Sequence, residues 1–347
     1  MIREKIAFSA ATLVVCALTV LLLLYEPYTS ESIRSTLTLF FHRVLPPLFP
    51  YMVLSRVIVS MDLLEPLGRR LRLARRFRLP ERAASVLLTG LLCGFPVGAA
   101  GTCTLYENGG IGKQDAGRLA ALSSNAGPAF LFGTVAALWN SRAYGGFLFA
   151  IQTLSALILA LFAAHRILPD SENGGTMPEN LSSKKNFSSE LCRAISESAS
   201  ACLTVCAYIV FFRTAAVLFS RILPGAAPVF SVLFEFSSGC ADGAAIGGEA
   251  GLFMTGFAVG SAGLSVMMQN YNFLGRYELP MKLLLQTKLA QGILCGGASV
   301  LFFRLCPTSP ALPSAVFAPS FSWNEGITVL SVLFLLSNFH KISKHVI

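Results

Sequence analysis

Asn125, Glu235, Ser265 and Gln269, together with Gly94, Pro96, Gly98, Gly127, Pro128, Gly239 and Gly263, are the residues of this sequence whose types and spacing could do chemistry. No nucleophile, base and orienting group cluster among them, so the chemistry is binding rather than catalysis, and the chain reads as not an enzyme. The glycines and prolines interrupt stretches that are otherwise apolar enough for a bilayer. An interruption frees backbone N–H and C=O groups that lipid cannot satisfy, so such backbone must face protein or a wet cavity. Free N–H groups at the start of a half-helix attract anions, and Asn125 could add its amide to them. The competing reading is that Asn125 caps a half-helix and the glycines permit close packing. Glu235 follows Val232-Leu233-Phe234 in an apolar run. A carboxylate at that depth suggests coupling-ion binding or a proton relay; otherwise it is an interfacial acid or a partner of Arg213. Ser265 and Gln269 stand four apart, one helical turn, and could line a path together or bond neighbouring helices.

The solvent around these residues follows from composition. The chain has 347 residues, 54% hydrophobic and 13% charged, with a mean hydropathy of +0.64; an average soluble protein has about 25% charged residues. Near-spanning apolar runs recur throughout, so the surroundings are lipid. The net charge of +9 fits the basic loops of a membrane protein better than a nucleic-acid surface, since its largest cluster lies between two apolar segments and no nucleic-acid module is present. The 9 cysteines form no CxxC pair and lie mostly in apolar segments, and the 4 histidines are scattered. Neither a metal site nor a cofactor is expected. Gly109-Gly110-Ile111-Gly112-Lys113 is not a phosphate loop, because Glu107 replaces the first glycine and Gln114 the magnesium-binding hydroxyl.

Residues 1–29 read as an uncleaved anchor helix, its apolar core at 6–25 exceeding the roughly 7–15 residues of a signal peptide. Residues 32–60, with Pro46-Pro47 and Pro50, are a Pro-kinked helix or an amphipathic helix followed by a short span. Arg69, Arg70, Arg72, Arg75, Arg76, Arg78 and Arg82 form a loop that favours the cytoplasmic side and could touch anionic lipid headgroups. A broken segment at 83–106 is followed by apolar segments at 119–139 and 144–165. A polar linker occupies 169–190, before 199–220, a second broken segment at 229–246, and spans at 252–274 and 281–303. An extended loop and a last span at 327–339 complete the chain.

The halves 30–168 and 191–305 correspond in order. Ser85-Val86-Leu87, Gly94 and Gly98-Ala99-Ala100 are answered by Ser231-Val232-Leu233, Gly239 and Gly243-Ala244-Ala245; Asn125-Ala126-Gly127-Pro128 by Ser261-Ala262-Gly263-Leu264; Gln152-Thr153 by Gln286-Thr287. If each broken segment is a re-entrant hairpin, Arg3, Lys5, the loop arginines, Lys113, Arg118, Arg166, Lys184, Lys185, Arg193, Arg276, Lys282, Lys341 and Lys344 share the cytoplasmic side with both termini. Only Arg34, Arg142, Arg221 and Arg304 lie clearly opposite. Three crossings per half then invert the second repeat and place the hairpin tips together near the midplane. The expected fold is therefore an all-α polytopic membrane protein of inverted repeats, each with a re-entrant helical hairpin and discontinuous helices.

Cys93-Gly94-Phe95-Pro96-Val97-Gly98, the Asn-x-Gly-Pro of residues 125–128, Glu235-Phe236-Ser237-Ser238-Gly239, Gly263-Leu264-Ser265 and Gln269 resemble the YlbJ-type sporulation integral membrane proteins of the nucleoside-recognition, or Gate, superfamily. The resemblance covers most of 30–305. It implies a bacterial membrane, possibly the one around the forespore, and passage of dipicolinate during endospore formation. The expected function is transport of a small anionic metabolite, with lipid and a coupling ion as further partners and no nucleic acid. The alternatives are a nucleoside-type cation-coupled carrier and a non-transporting scaffold for spore-envelope assembly.

Overall fold

The computed structural model describes residues 2–61, 63–166 and 186–305, and every regular element among them is helical. The expected span at 327–339 and all but the last residues of the expected linker lie outside the described residues. Helix α1 (Ile2–Leu24) meets α2 (Glu26–Leu39) at a 91° bend. Pro27, in the first turn of α2, lacks the N–H that would extend α1 through Tyr25. A π-helical turn, Phe40–Val44, joins α2 to α3 (Leu45–Ser60), which holds Pro50 in its interior. Residues 26–60 are thus one helical path widened ahead of its prolines, where missing donors disturb the ordinary hydrogen-bond register.

The Arg-rich segment folds into two short helices, α4 (Glu65–Leu71) and α5 (Leu73–Arg76). Ala74, Phe77 and Leu79 anchor it in the main core. Arg118 holds it from below, donating to the Phe77 and Arg78 carbonyls and pairing with Asp115 at 2.6 Å.

The first half continues through α6 (Ala83–Cys93), α7 (Val97–Glu107) and α8 (Lys113–Ser123). Residues 124–127 are unwound; a π-helical turn (Ala129–Val135) leads to α9 (Ala136–Leu138), and then α10 (Arg142–Arg166) begins. The second half opens with α11 (Phe187–Ile222), whose first turn starts inside the expected linker. It then repeats the order: α12 (Ala227–Phe234), α13 (Phe236–Ile246), α14 (Gly248–Ser261), α15 (Gly263–Leu274) and α16 (Lys282–Leu305). With 11 residues each, α6 and α7 reach roughly 16 Å, about half of a bilayer's hydrocarbon core. The α6–α7 and α12–α13 pairs are therefore hairpins of half-length helices. Among the described residues, four helical stretches, Arg142–Phe162, Phe187–Ile222, Gly248–Tyr277 and Lys282–Leu305, are long and apolar enough to cross a membrane.

The halves exchange contacts. Helix α8 packs on α16 as α14 packs on α10, and α7 on α15 as α13 on α9. One core runs through both halves, from Leu88 and Leu119 to Val259 and Leu284. The tightest seam joins α14 to α16. A Cβ on Gly256 would stand 2.5 Å from the Cys295 carbonyl oxygen, and one on Gly260 2.5 Å from that of Gln291. Gly292 and Gly296 face Ser261 and Phe253 from the other side. Two GxxxG spacings thus interlock, which brings α16 against the end of α14.

Candidate functional site

The two breaks of the first half are fastened together. Gly94 adopts φ +77°, and a Cβ there would stand 2.4 Å from the Gly127 nitrogen. The Phe95 N–H donates to the Asn125 carbonyl at 2.8 Å. Gly98 lies inside α7, where a Cβ would collide with the Ser123 carbonyl. Gln152 on α10 closes a two-bond ring on the Ala126 peptide, donating to its carbonyl at 2.5 Å and accepting from its N–H at 3.3 Å. Pro96 precedes α7 and Pro128 precedes the π-helical turn, at positions where a missing N–H leaves no gap.

Asn125 does two things at once. Its amide nitrogen donates to the Leu122 carbonyl at 2.7 Å and caps the end of α8. Its Oδ1 accepts from Lys288 Nζ and from Gln291 Nε2, both at 3.0 Å. Lys288 also donates to Gln291 Oε1 at 2.7 Å, and Gln291 Nε2 to the Gln152 carbonyl at 2.7 Å. Asn270 on α15 reaches the same stretch, donating to Ser124 Oγ at 2.8 Å. Asn125, Gln152, Lys288 and Gln291 are each 1% exposed. Among the described residues no carboxylate lies within ion-pair distance of the Lys288 amine. Lys288 is the site residue that sequence reasoning passed over. A lysine inside the apolar stretch 281–303 carries the same signal that singled out Glu235.

Glu235 has another surrounding. It sits in extended backbone (φ −143°, ψ 114°) between α12 and α13 and is fully buried. Its carboxylate accepts from the N–H groups of Ser237 (3.1 Å) and Ser238 (2.7 Å) and from both serine hydroxyls (2.6 and 2.7 Å). It is the N-cap of α13. Arg213 bonds instead to Ser231 Oγ and Asp242, so the expected alternative pairing with Glu235 is not the one formed. The break of this hairpin is thus at Glu235. Gly239, expected at the break, lies inside α13, where a Cβ would press on Val232 and Ala258. Gly263, at φ +66°, opens α15 beside Glu235 and Phe236.

The hairpin tips meet through their aromatic rings: Phe95 and Phe236 are 5.0 Å apart edge to face, and Phe130 stands 4.7 Å from Phe236. Beside them lies a cavity of about 90 Å³ whose polar side chains include Gln269, with Ala126 and Gly127 contributing backbone. Gln269 Nε2 donates to Ser265 Oγ at 3.3 Å, one helical turn away. The Asn125 and Glu235 side chains do not line this cavity, although each belongs to a break that borders it through Ala126 or Phe236. Asn125 turns toward α16 and Glu235 toward the start of α13.

The chain is similar to a sporulation integral membrane protein. It is 31% identical over 122 residues to the protein YlbJ of Bacillus subtilis (strain 168); the match covers 35% of this chain and 30% of that protein. The chain thus spans less than a third of the relative it matches. No protein-family model matches the chain, and no solved structure matches it. The four apolar helices and this similarity make it an integral membrane protein.

Proposed function

We propose that the chain is a membrane carrier for a small anionic metabolite, dipicolinate, during endospore formation. The observation that carries this reading is Lys288: a fully buried amine in a membrane-length helix, bonded to an unwound stretch, with no acidic partner among the described residues. An ammonium taken out of water is costly unless an opposite charge accompanies it, and a substrate anion supplies that charge. Phe95, Phe130 and Phe236 give a flat aromatic ring surfaces to stack on. The similarity to a sporulation membrane protein supports the cellular setting, the membrane around the forespore. The exchanged helix contacts and the positive-inside count support inverted repeats with cytoplasmic termini, rocking about the two breaks.

Uptake into proteoliposomes tests the reading. Dipicolinate should enter and uridine should not; the reverse result would establish the nucleoside-type carrier instead. Asn125→Ala and Lys288→Met should lose flux while reaching the membrane in normal amount. A sporulation phenotype unaffected by both substitutions would make the chain a scaffold and sink the carrier reading.

A further inference from the structure

The carrier reading leaves open which ion accompanies the substrate, and the surroundings of Lys288 answer it. Resting on that reading, we propose that Lys288 is the coupling group: its amine takes up one proton from water as the substrate anion binds and releases it when the anion leaves. Anion and proton then travel together, and no sodium ion is needed.

Hydrogen-bond capacity is the first support. A neutral lysine amine has two N–H donors and one lone pair, whereas the ammonium has three donors and no acceptor. Lys288 makes two donor bonds, to Asn125 Oδ1 at 3.0 Å and Gln291 Oε1 at 2.7 Å. Those bonds use both donors of the neutral amine. A proton arriving on the lone pair creates a third N–H with nothing to bond, and a carboxylate supplies both the acceptor and the counter-charge. Location is the second support. The amine lies between two carboxamide oxygens at an unwound helix, the kind of oxygen cradle in which broken helices hold a coupling cation. The side chain fills that place itself.

The surrounding charges leave the amine as the group that responds. On α8, Arg118 is engaged with Asp115 and with the Phe77 and Arg78 carbonyls. On α14, Glu249 is bonded to Arg304 at the far end of α16. Helix α10 presents Gln152 and Ser155, and its charged residue among the described side chains is Arg142 in the first turn. On α16 itself the titratable neighbour is Cys295, about two turns further on, whose thiol faces Ser155 Oγ at 3.9 Å. Glu235, the sequence's own candidate for a proton relay, has its carboxylate filled by four donors at the start of α13.

Calorimetric titration of the purified full chain with dipicolinate, in two buffers of different ionisation enthalpy, counts protons taken up on binding. Wild type should take up about one proton per dipicolinate, whether the salt is sodium or choline chloride. Lys288→Arg, whose guanidinium keeps its charge, should bind with no uptake, and Lys288→Met should bind at least about tenfold more weakly, the equivalent of 1.4 kcal/mol. Binding by wild type without proton uptake, or binding that requires sodium, overturns the proposal whether or not either variant folds. Uptake that persists in a folded Lys288→Arg protein also overturns it. The carrier reading fails separately, by showing neither dipicolinate binding nor flux at any pH.

Discussion

Replacing Glu235 by Ala separates a structural carboxylate from a transporting one. The substitution takes the acceptor from the buried N–H of Ser237, from the half-buried N–H of Ser238, and from two serine hydroxyls. Losing an N-cap costs about 1 kcal/mol in ordinary settings, and a buried donor left without a partner costs about 1–3 kcal/mol. The hydroxyls can turn to carbonyls of the preceding helical turn and recover part of their loss. Removing a desolvated charge offsets some of the remainder. The expected net destabilisation is therefore about 2–4 kcal/mol, combining the cap and the orphaned donors. Glu235→Asp keeps a good capping side chain and should stay within about 1 kcal/mol of wild type. Denaturant unfolding in a mild detergent, followed by tryptophan fluorescence, measures both. A Glu235→Ala protein as stable as wild type would refute the capping assignment. If that variant also lost all flux, Glu235 would return as a transport carboxylate.

Two further substitutions test the framework around the site. Gly94→Ala places a Cβ 2.4 Å from the Gly127 nitrogen at φ +77°, a backbone region that costs a side chain about 1–3 kcal/mol before any clash. Gly109, at φ +68° with open space around it, is the control. Its Ala variant should lose no more than about 1–3 kcal/mol and Gly94→Ala clearly more, so equal thermal stability of the two would show that the breaks are not fastened as described. Arg118→Met removes the ion-pair partner of Asp115 and the donor to the Phe77 and Arg78 carbonyls, with both charged side chains nearly inaccessible. It should destabilise by about 3–5 kcal/mol and expose the Arg-rich segment to trypsin, whereas Asp115→Leu with Arg118→Met should recover part of the loss. Unchanged proteolysis would refute the anchoring role.

The breaks were legible in the sequence because Gly and Pro have few other uses in an apolar run. Gly94, Gly127 and Gly263 all stand at them. Gly239 misled, since a glycine inside a helix can serve close packing as well as interruption, and α13 uses it against Val232 and Ala258. The true break is at Glu235, whose carboxylate caps α13 through Ser237 and Ser238 in a place where an acid was read as chemistry. Asn125 was read as either a substrate ligand or a cap. It caps α8 with one end of its amide and holds Lys288 with the other, a division that depends on a helix more than 160 residues away and on no local pattern.

The positional correspondence between the two halves bears on why Lys288 escaped notice. Pairing Gln152-Thr153 with Gln286-Thr287 matches identical letters, but Gln286 is exposed. By position after the break the counterpart differs: Gln152 follows Ala126 by 26 residues, and the residue at that distance after Ala262 is Lys288. In the first half this position braces the unwound peptide of its own half. In the second half no brace is required, because the Ala262 N–H bonds back to the Ala258 carbonyl at 2.9 Å and Gly263 restarts the helix directly. The side chain released from that duty crosses instead to the break of the other half. A position with no bracing task in its own half is where a charge can be placed without losing the fold. The GxxxG seam between α14 and α16 holds that charge within reach of Asn125.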